Sequence, residues 1–359
     1  MHVISGLRIG GAENMLASII EHSSSFNDEH IVLSLTSGGI VKERIENMGV
    51  KVYDIGLQSA FDMPRSLFRI ISLIKKYQPN VIQGWMYYGD LFAAICLYAS
   101  GRRSKTSLYW GVRNSNLNLR KYSFQLRVAI KFCSMLSFLP DKIVSNSSKG
   151  VDFHKDLGYQ EDKFIIIENG LDSKKFQANK RFRQKIRNDL GIDDERLIVV
   201  MSARIDPMKN HELFIDAVSR IPGVTGLVLG RGTEDFNKQN NIFFLGEKQN
   251  TNEYLAASDI FVSPSLFGEG LSNSLAEAMA SELLVVYTDV GDNKKLVGNC
   301  GYVLQTNSSN ELCKVIDNLI ALSPKERKNI GKKARERIIK HYPIEKTVNK
   351  FGELYQSYK

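Results

Sequence analysis

"LIVVMSARIDPMKNHELFIDAVSRI", residues 197–221, decides the fold. Its first part is a short, continuous apolar run, the pattern of a strand buried on both faces. From Asn210 onward the apolar residues recur at helical spacing. Between the two lies a loop with two cations, Arg204 and Lys209. A buried strand that runs through a short loop into a helix is half of a βαβ unit, so a parallel sheet is expected.

The same alternation extends in both directions. Towards the C-terminus, "TGLVLGRG" (225–232), "IFFLGE" (242–247), "IFVSPS" (260–265) and "LLVVYTDV" (283–290) read as strands with helices between them. Towards the N-terminus, strands are expected in "HVIS" (2–5), "HIVLSLT" (30–36), "VKVYDIGL" (50–57), "VIQGWM" (81–86), "SLYWGVR" (107–113), "KIVSNSS" (142–148) and "FIIIENG" (164–170). Helical patterns occupy 12–24, 39–49, 64–78 and 89–100, the third with proline at its start and lysines at its end, as the helix dipole favours. Between the two cycles, residues 172–194 are polar and show no strand pattern. The fold class is therefore α/β, with two doubly wound parallel-sheet domains facing across a cleft. Residues 1–172 form the first domain and 173–340 the second; a helical tail, 341–359, broken at Pro343, is expected to return to the first.

Composition agrees. The chain has 359 residues, 43% hydrophobic and 24% charged, which suits two soluble domains with sizeable cores. Cys96, Cys133, Cys300 and Cys313 lack zinc-site or redox spacing, and are expected to be reduced packing residues in a cytoplasmic protein. No signal peptide is apparent, and no apolar run is long enough to span a bilayer. The formal net charge of +9 is uneven: residues 91–140 contain one arginine or lysine after another and neither Asp nor Glu. Aromatic and aliphatic residues interleave with these cations. Such a segment suits an anionic membrane surface; a plain solvated basic face is the blander reading, and no motif for nucleic acid accompanies it.

Ligands of open parallel sheets bind beyond the carboxyl ends of the strands, and four such loops carry unusual residues. "GLRIGGAE" (6–13) places Gly10 and Gly11 before a helix, where backbone can approach an anion; a plain tight turn is the alternative. Arg204 and Lys209 suit a diphosphate, the guanidinium as a fork and the ammonium as a point charge. Gly230 and Gly232 end a strand and permit close approach. In "SPSLFGEGLSNSLAEAMA" (263–280), Glu269 precedes a helix that Ser272 or Asn273 would cap, and Glu277 lies two helical turns further on. Backbone N–H groups of Gly270, Leu271 and Ser272 would face a phosphate. An ionised carboxylate only accepts hydrogen bonds, so Glu277 suits ribose hydroxyls and Glu269 those of a hexose.

The ordered set "GGAE", "ENGLD", "SARIDPMKNH", "LGE", "FGEGLSNSLAEAMA" and "TDVGDNKKLVG" resembles the retaining glycosyltransferases of family 4, which have the two-domain GT-B fold. The likeness covers nearly the whole chain. "VIQGWMYYGDL" and "YWGVRNSNLN" resemble a bacterial subgroup that builds capsule, O-antigen or exopolysaccharide. This resemblance implies that Arg204 and Lys209 bind the donor diphosphate, that Glu269 contacts the donor sugar and Glu277 the ribose, and that Gly246 and Glu247 hold the base through backbone. It places Gly10 and Gly11 beside phosphate and acceptor. Where relatives often carry histidines, this chain has Tyr88 and either Arg113 or Asn114; with Trp85 these are candidates for acceptor or sugar contact. The implied reaction is retaining transfer from a nucleotide-sugar, UDP on family base rate, to a lipid-linked or saccharide acceptor, without metal or other cofactor. The implied location is the inner face of the membrane. A nucleotide-sugar epimerase of the same fold and a catalytically silent sugar-nucleotide binder are the alternatives.

Overall fold

The computed structural model describes residues 1–23 and 29–357. Ser24, the last residue of the first expected helix, and Tyr358 and Lys359 of the tail lie outside the described residues. The chain divides into two compact units, Met1–Gly170 with Ile344–Lys359, and Leu171–Pro343.

The first unit is built on seven strands: β1 (His2–Ile4), β2 (Ile31–Ser34), β3 (Lys51–Asp54), β4 (Val81–Trp85), β5 (Ser107–Val112), β6 (Lys142–Ser145) and β7 (Phe164–Ile166). They pair in the order β3-β2-β1-β4-β5-β6-β7, all parallel. Helices Met63–Tyr77, Met86–Ala99 and Phe124–Met135 cover one face, closing a core around Ile70, Leu97, Trp110 and Ile130. Helices Gly11–His22 and Ile344–Gln356 cover the other, around Leu16, Val32, Trp85 and Phe351. The tail helix is thus an integral layer of this unit. Thr347 Oγ1 donates to the Glu168 carbonyl at 2.8 Å, and Tyr109 Oη donates to that of Leu354 at 3.1 Å.

The second unit carries β8 (Leu197–Ser202), β9 (Val224–Leu229), β10 (Ile242–Gly246), β11 (Ile260–Ser263), β12 (Leu284–Thr288) and β13 (Tyr302–Leu304), in the parallel order β10-β9-β8-β11-β12-β13. The quoted stretch is its β8 and the helix His211–Ser219. The polar segment 172–194 contains a helix, Lys180–Leu190, capped by Asn179, whose side chain accepts the Phe182 N–H at 3.1 Å, and ended by left-handed Gly191. Arg187 anchors it from a fully buried position, donating to Asp259 Oδ2 at 2.9 Å and to the carbonyls of Ala257, Asp193 and Arg196. A buried guanidinium with its donors matched in this way is tolerated where an unmatched one would not be.

In the first unit the strand order reverses between β1 and β4, and in the second between β8 and β11. Such switch points are where open α/β sheets bind ligands. The loops that leave β8 and β11 are those that carry Arg204, Lys209 and Glu269.

Candidate functional site

The loop after β8 is organised by Asp206. Its Oδ2 accepts from Arg204 Nη2 at 2.9 Å, its Oδ1 from the Met208 N–H at 3.1 Å, and its carbonyl from the Lys209 N–H at 2.9 Å. The Arg204 side chain remains 43% exposed, whereas Asp206 beneath it is 9% exposed. The guanidinium is therefore held at its base yet open to an incoming anion. Asn210, left-handed at φ 57°, then turns the chain into helix His211–Ser219.

Lys209 reaches the loop after β11. Its Nζ donates to Glu269 Oε1 at 2.5 Å, and Ser265 Oγ donates to the same oxygen at 2.7 Å. The two charged side chains are only 15% and 8% exposed, so the pair is nearly dry. The Leu266 N–H joins the loops again by donating to the Met208 carbonyl at 2.7 Å.

Neighbouring loops brace this junction. Thr288 Oγ1 at the end of β12 donates to the Ser265 carbonyl at 2.5 Å, and the Asp292 N–H donates to that of Gly270 at 2.8 Å. Gly291 (φ +62°) and Gly230 (φ +138°) pack so closely that a Cβ on either would overlap backbone carbonyls, of Glu269 and Gly270 in one case and Ala203 in the other. Gly230 is thus required for loop-to-loop packing as well as for its φ. The Ile205 N–H donates to Arg231 O at 3.0 Å, completing the ring of loops.

Glu277 lies on helix Asn273–Ala280, which leaves this junction. It is half-buried, and burial pushes its carboxyl up to about 7, against the opposing pull of Lys175. Ser272 occupies the N-cap position, but its side chain caps nothing; its hydroxyl pairs with that of Ser274 at 3.3 Å. The expected side-chain cap from Ser272 is corrected accordingly. Leu271 buries its side chain in the core.

Gly246 also differs from expectation. Its N–H donates to Thr233 Oγ1 at 3.1 Å and its carbonyl accepts the Gly230 N–H at 2.8 Å. Both its N–H and its carbonyl are thus engaged inside the protein, and Glu247 beside it is half-buried.

In the first unit, Gly10 is the N-cap of helix Gly11–His22, and the Glu13 carboxylate folds back over it. A phosphate at this helix start would meet that carboxylate. Trp85 and Arg113 are corrected as contact candidates. Trp85 is fully buried and donates its indole N–H to His2 Nδ1 at 3.3 Å. The Arg113 guanidinium stacks 4.8 Å above the Trp85 ring and donates to Asn169 Oδ1 at 2.5 Å; burial lowers its pKa to about 10. Together they are internal cement between β4, β5 and the tail helix. Tyr88 and Asn114 are half-buried, and the Asn114 side chain bonds the Tyr87 hydroxyl.

Sequence alone did not point to Asp206, Ser265, Thr288 or Gly291. Asp206 stands in the middle of the quoted stretch, two residues after Arg204, and that spacing was the signal available. Cys300 and Cys313 are half-buried, unlike Cys96 and Cys133, and all four are free thiols.

Residues 182–337 match the family model described as glycosyl transferases group 1. The chain is 28% identical over 223 residues to the UDP-Gal:alpha-D-GlcNAc-diphosphoundecaprenol alpha-1,3-galactosyltransferase of Escherichia coli, spanning 56% of each. It is 23% identical over 313 residues, 82% of each chain, to an N,N'-diacetylbacillosaminyl-diphospho-undecaprenol alpha-1,3-N-acetylgalactosaminyltransferase of Campylobacter jejuni. Among solved structures, Anabaena HepE in complex with UDP-glucose matches at a TM-score of 0.86 and 20% identity, covering 99% of this chain and 100% of that one. The chain has the GT-B fold of these structures, and residues 182–337 of its second unit match a glycosyl transferases group 1 domain.

Proposed function

We propose that this protein is a retaining, metal-independent enzyme that moves a sugar from a UDP-sugar to a lipid-linked acceptor during bacterial surface-polysaccharide synthesis, working peripherally on the anionic inner face of the cell membrane. The observation that carries this reading is the dry Lys209–Glu269 pair at the strand-order switch, beside exposed Arg204. The relatives that act on diphospho-undecaprenol substrates support the acceptor class.

In this mechanism Arg204 and Lys209 hold the diphosphate. The lysine ammonium has three donors, so it can serve the phosphate while still bonded to Glu269. Glu269 receives hydroxyls of the donor sugar. The acceptor oxygen forms a bond to the anomeric carbon on the face that the diphosphate leaves, and the acceptor's proton passes to the departing phosphate oxygen. Fixed cations stabilise the charge that grows on that oxygen, which places the electrostatic work in the protein.

Incubation with UDP-, GDP- and ADP-sugars tests the reading. A thermal shift and slow hydrolysis are expected with a UDP-sugar, unchanged by EDTA. Free epimer formation, binding without turnover, or loss of activity on chelation would each overturn the corresponding part.

Glu277 adds a pH dependence. It is ionised only above about 7, and only the carboxylate accepts both hydroxyls of a ribose diol. Donor affinity should therefore rise by roughly tenfold per pH unit up to about 7 and level off above it. Glu277→Gln should flatten that profile and weaken binding at pH 8. An unchanged pH profile in this variant, measured by calorimetric titration with UDP-sugar, would remove Glu277 from the ribose.

A further inference from the structure

We infer that the outer faces of helices Met63–Tyr77, Met86–Ala99 and Phe124–Met135 form a membrane-docking surface that inserts phenylalanine side chains into anionic lipid. The inference rests on the peripheral position proposed above and deepens it, because it names the surface and makes attachment partly apolar. Of the twelve large apolar side chains exposed among the described residues, nine lie between residues 61 and 138. Phe61 is 95% exposed, Phe68 74% and Phe124 68%, and Phe132, Met135 and Phe138 are each more than half exposed. Isolated exposed apolar residues need no explanation, but a concentration of this kind does.

The fold puts them on one side. The three helices are successive neighbours in a single layer, with the second between the first and third. Each turns a separate stripe to the sheet: Ser66, Ile70 and Ile74; Ala93, Cys96 and Leu97; Ala129, Ile130 and Cys133. The exposed stripes therefore share the outer side of the layer. Phe68 and Arg69 stand on the first, Ile95 and Tyr98 on the second, and Phe124, Arg127, Lys131 and Phe132 on the third.

Charge selects the occupant. Residues 63–140 hold twelve arginines and lysines and one acid, Asp90, which is fully buried. Asp62, at the start of the first helix, turns its carboxylate onto the Ser59 and Gln58 N–H groups. Arg127 lies 5.7 Å from the Phe124 ring, so a cation flanks the apolar side chains of the third helix; Arg103, 5.9 Å from the Tyr98 ring, is paired with Asp141 at 2.7 Å. Aromatic groups that enter the acyl boundary while neighbouring cations meet headgroup phosphates are the pattern of interfacial binding to anionic lipid.

The test is flotation of the full chain with phosphatidylglycerol–phosphatidylcholine vesicles, and with phosphatidylcholine alone, at about 0.1 M and about 1 M NaCl. The wild type should float with the anionic vesicles at low salt and retain a fraction at high salt. Phe68→Ser/Phe124→Ser/Phe132→Ser should lose that salt-resistant fraction and bind roughly tenfold more weakly. Arg127→Glu/Lys131→Glu should lose the preference for anionic lipid. Both variants should keep the wild-type melting temperature and the thermal shift with UDP-sugar. A wild type that does not float, or a serine variant that floats at high salt like the wild type, overturns the inference. So does a concentration-dependent dimer that the serine variant breaks, which would assign the face to a second copy. Flotation by a protein that neither binds nor hydrolyses any sugar donor would instead overturn the functional reading and leave the lipid face standing.

Discussion

Lys209→Ala should lower turnover of the sugar donor by at least tenfold, and on the order of a hundredfold if its ammonium faces the departing diphosphate during transfer. The same change should also destabilise the second unit, because it leaves Glu269, 8% exposed, without its counter-charge. Breaking one side of a buried pair costs roughly 3 kcal/mol, more than the intact pair contributes. Two effects from one substitution must be separated. Lys209→Ala/Glu269→Gln removes the stranded charge, so urea midpoints should recover most of the loss while turnover stays low. Lys209→Arg keeps a cation but replaces a point charge with a broad planar fork in a site only 15% exposed, and should be intermediate in both. Donor hydrolysis in the folded Lys209→Ala protein within about threefold of wild type would remove Lys209 from the chemistry.

The strand-to-helix alternation was legible because buried parallel strands read as apolar runs and the helices over them as periodic ones. The same pattern located Arg204, Lys209, Glu269 and Glu277 on loops or helix starts beyond strand ends, and in the fold the loops bearing the first three are stitched together. Sequence does not encode what a polar side chain meets. Trp85 and Arg113 look like surface recognition residues in one dimension, yet they stack on each other inside the first unit, with Phe351 of the tail against both, 6.1 Å from the Trp85 ring and 5.8 Å from the guanidinium. Gly246 reads as open backbone, and only the fold reveals that Thr233 occupies its N–H. The helix Phe124–Met135 escaped notice for a related reason: its exposed phenylalanines blur the apolar–polar contrast that marks an ordinary surface helix. The strand Tyr302–Leu304 is a three-residue sheet edge, too short for any period to register.

Lowering the pH below about 6.5 should destabilise the first unit through histidines whose pKa burial lowers. His154 is fully buried, its Nδ1 2.7 Å from the Gly150 carbonyl and its Nε2 3.1 Å from the Tyr87 hydroxyl. That environment fixes the neutral ring with its proton on Nδ1, and burial lowers its pKa to about 4. His2 and His30 form a second such chain. Trp85 Nε1 donates to His2 Nδ1, His2 Nε2 lies 3.0 Å from His30 Nδ1, and His30 Nε2 lies 2.8 Å from Ser23 Oγ. Burial lowers His30 to about 4 and His2 well below its ordinary value, with the nearby N-terminal ammonium adding repulsion. Above pH 6.5 neither the folded nor the unfolded chain protonates these rings, and they make no pH-dependent contribution. As pH falls from 6.5 towards 4 the unfolded chain takes up protons that the folded one refuses, so stability drops with each. For His154 the loss is on the order of 3 kcal/mol, a large part of a domain's net stability. Two carboxyls act with the opposite sign, since burial raises them and the folded state holds a proton that the unfolded chain releases: Asp90, pushed well above its ordinary value, offsets part of the histidine loss within the first unit, and Glu277 belongs to the second. With three histidines lowered by burial against one carboxyl raised by it in the first unit, its urea midpoint in the wild type should fall between pH 7 and 5. His154→Gln, although less stable at pH 7, should show a shallower slope, because it removes one refused proton. A slope equal to that of the wild type would mean that His154 is protonated in the folded chain, and the buried neutral ring would have to be abandoned.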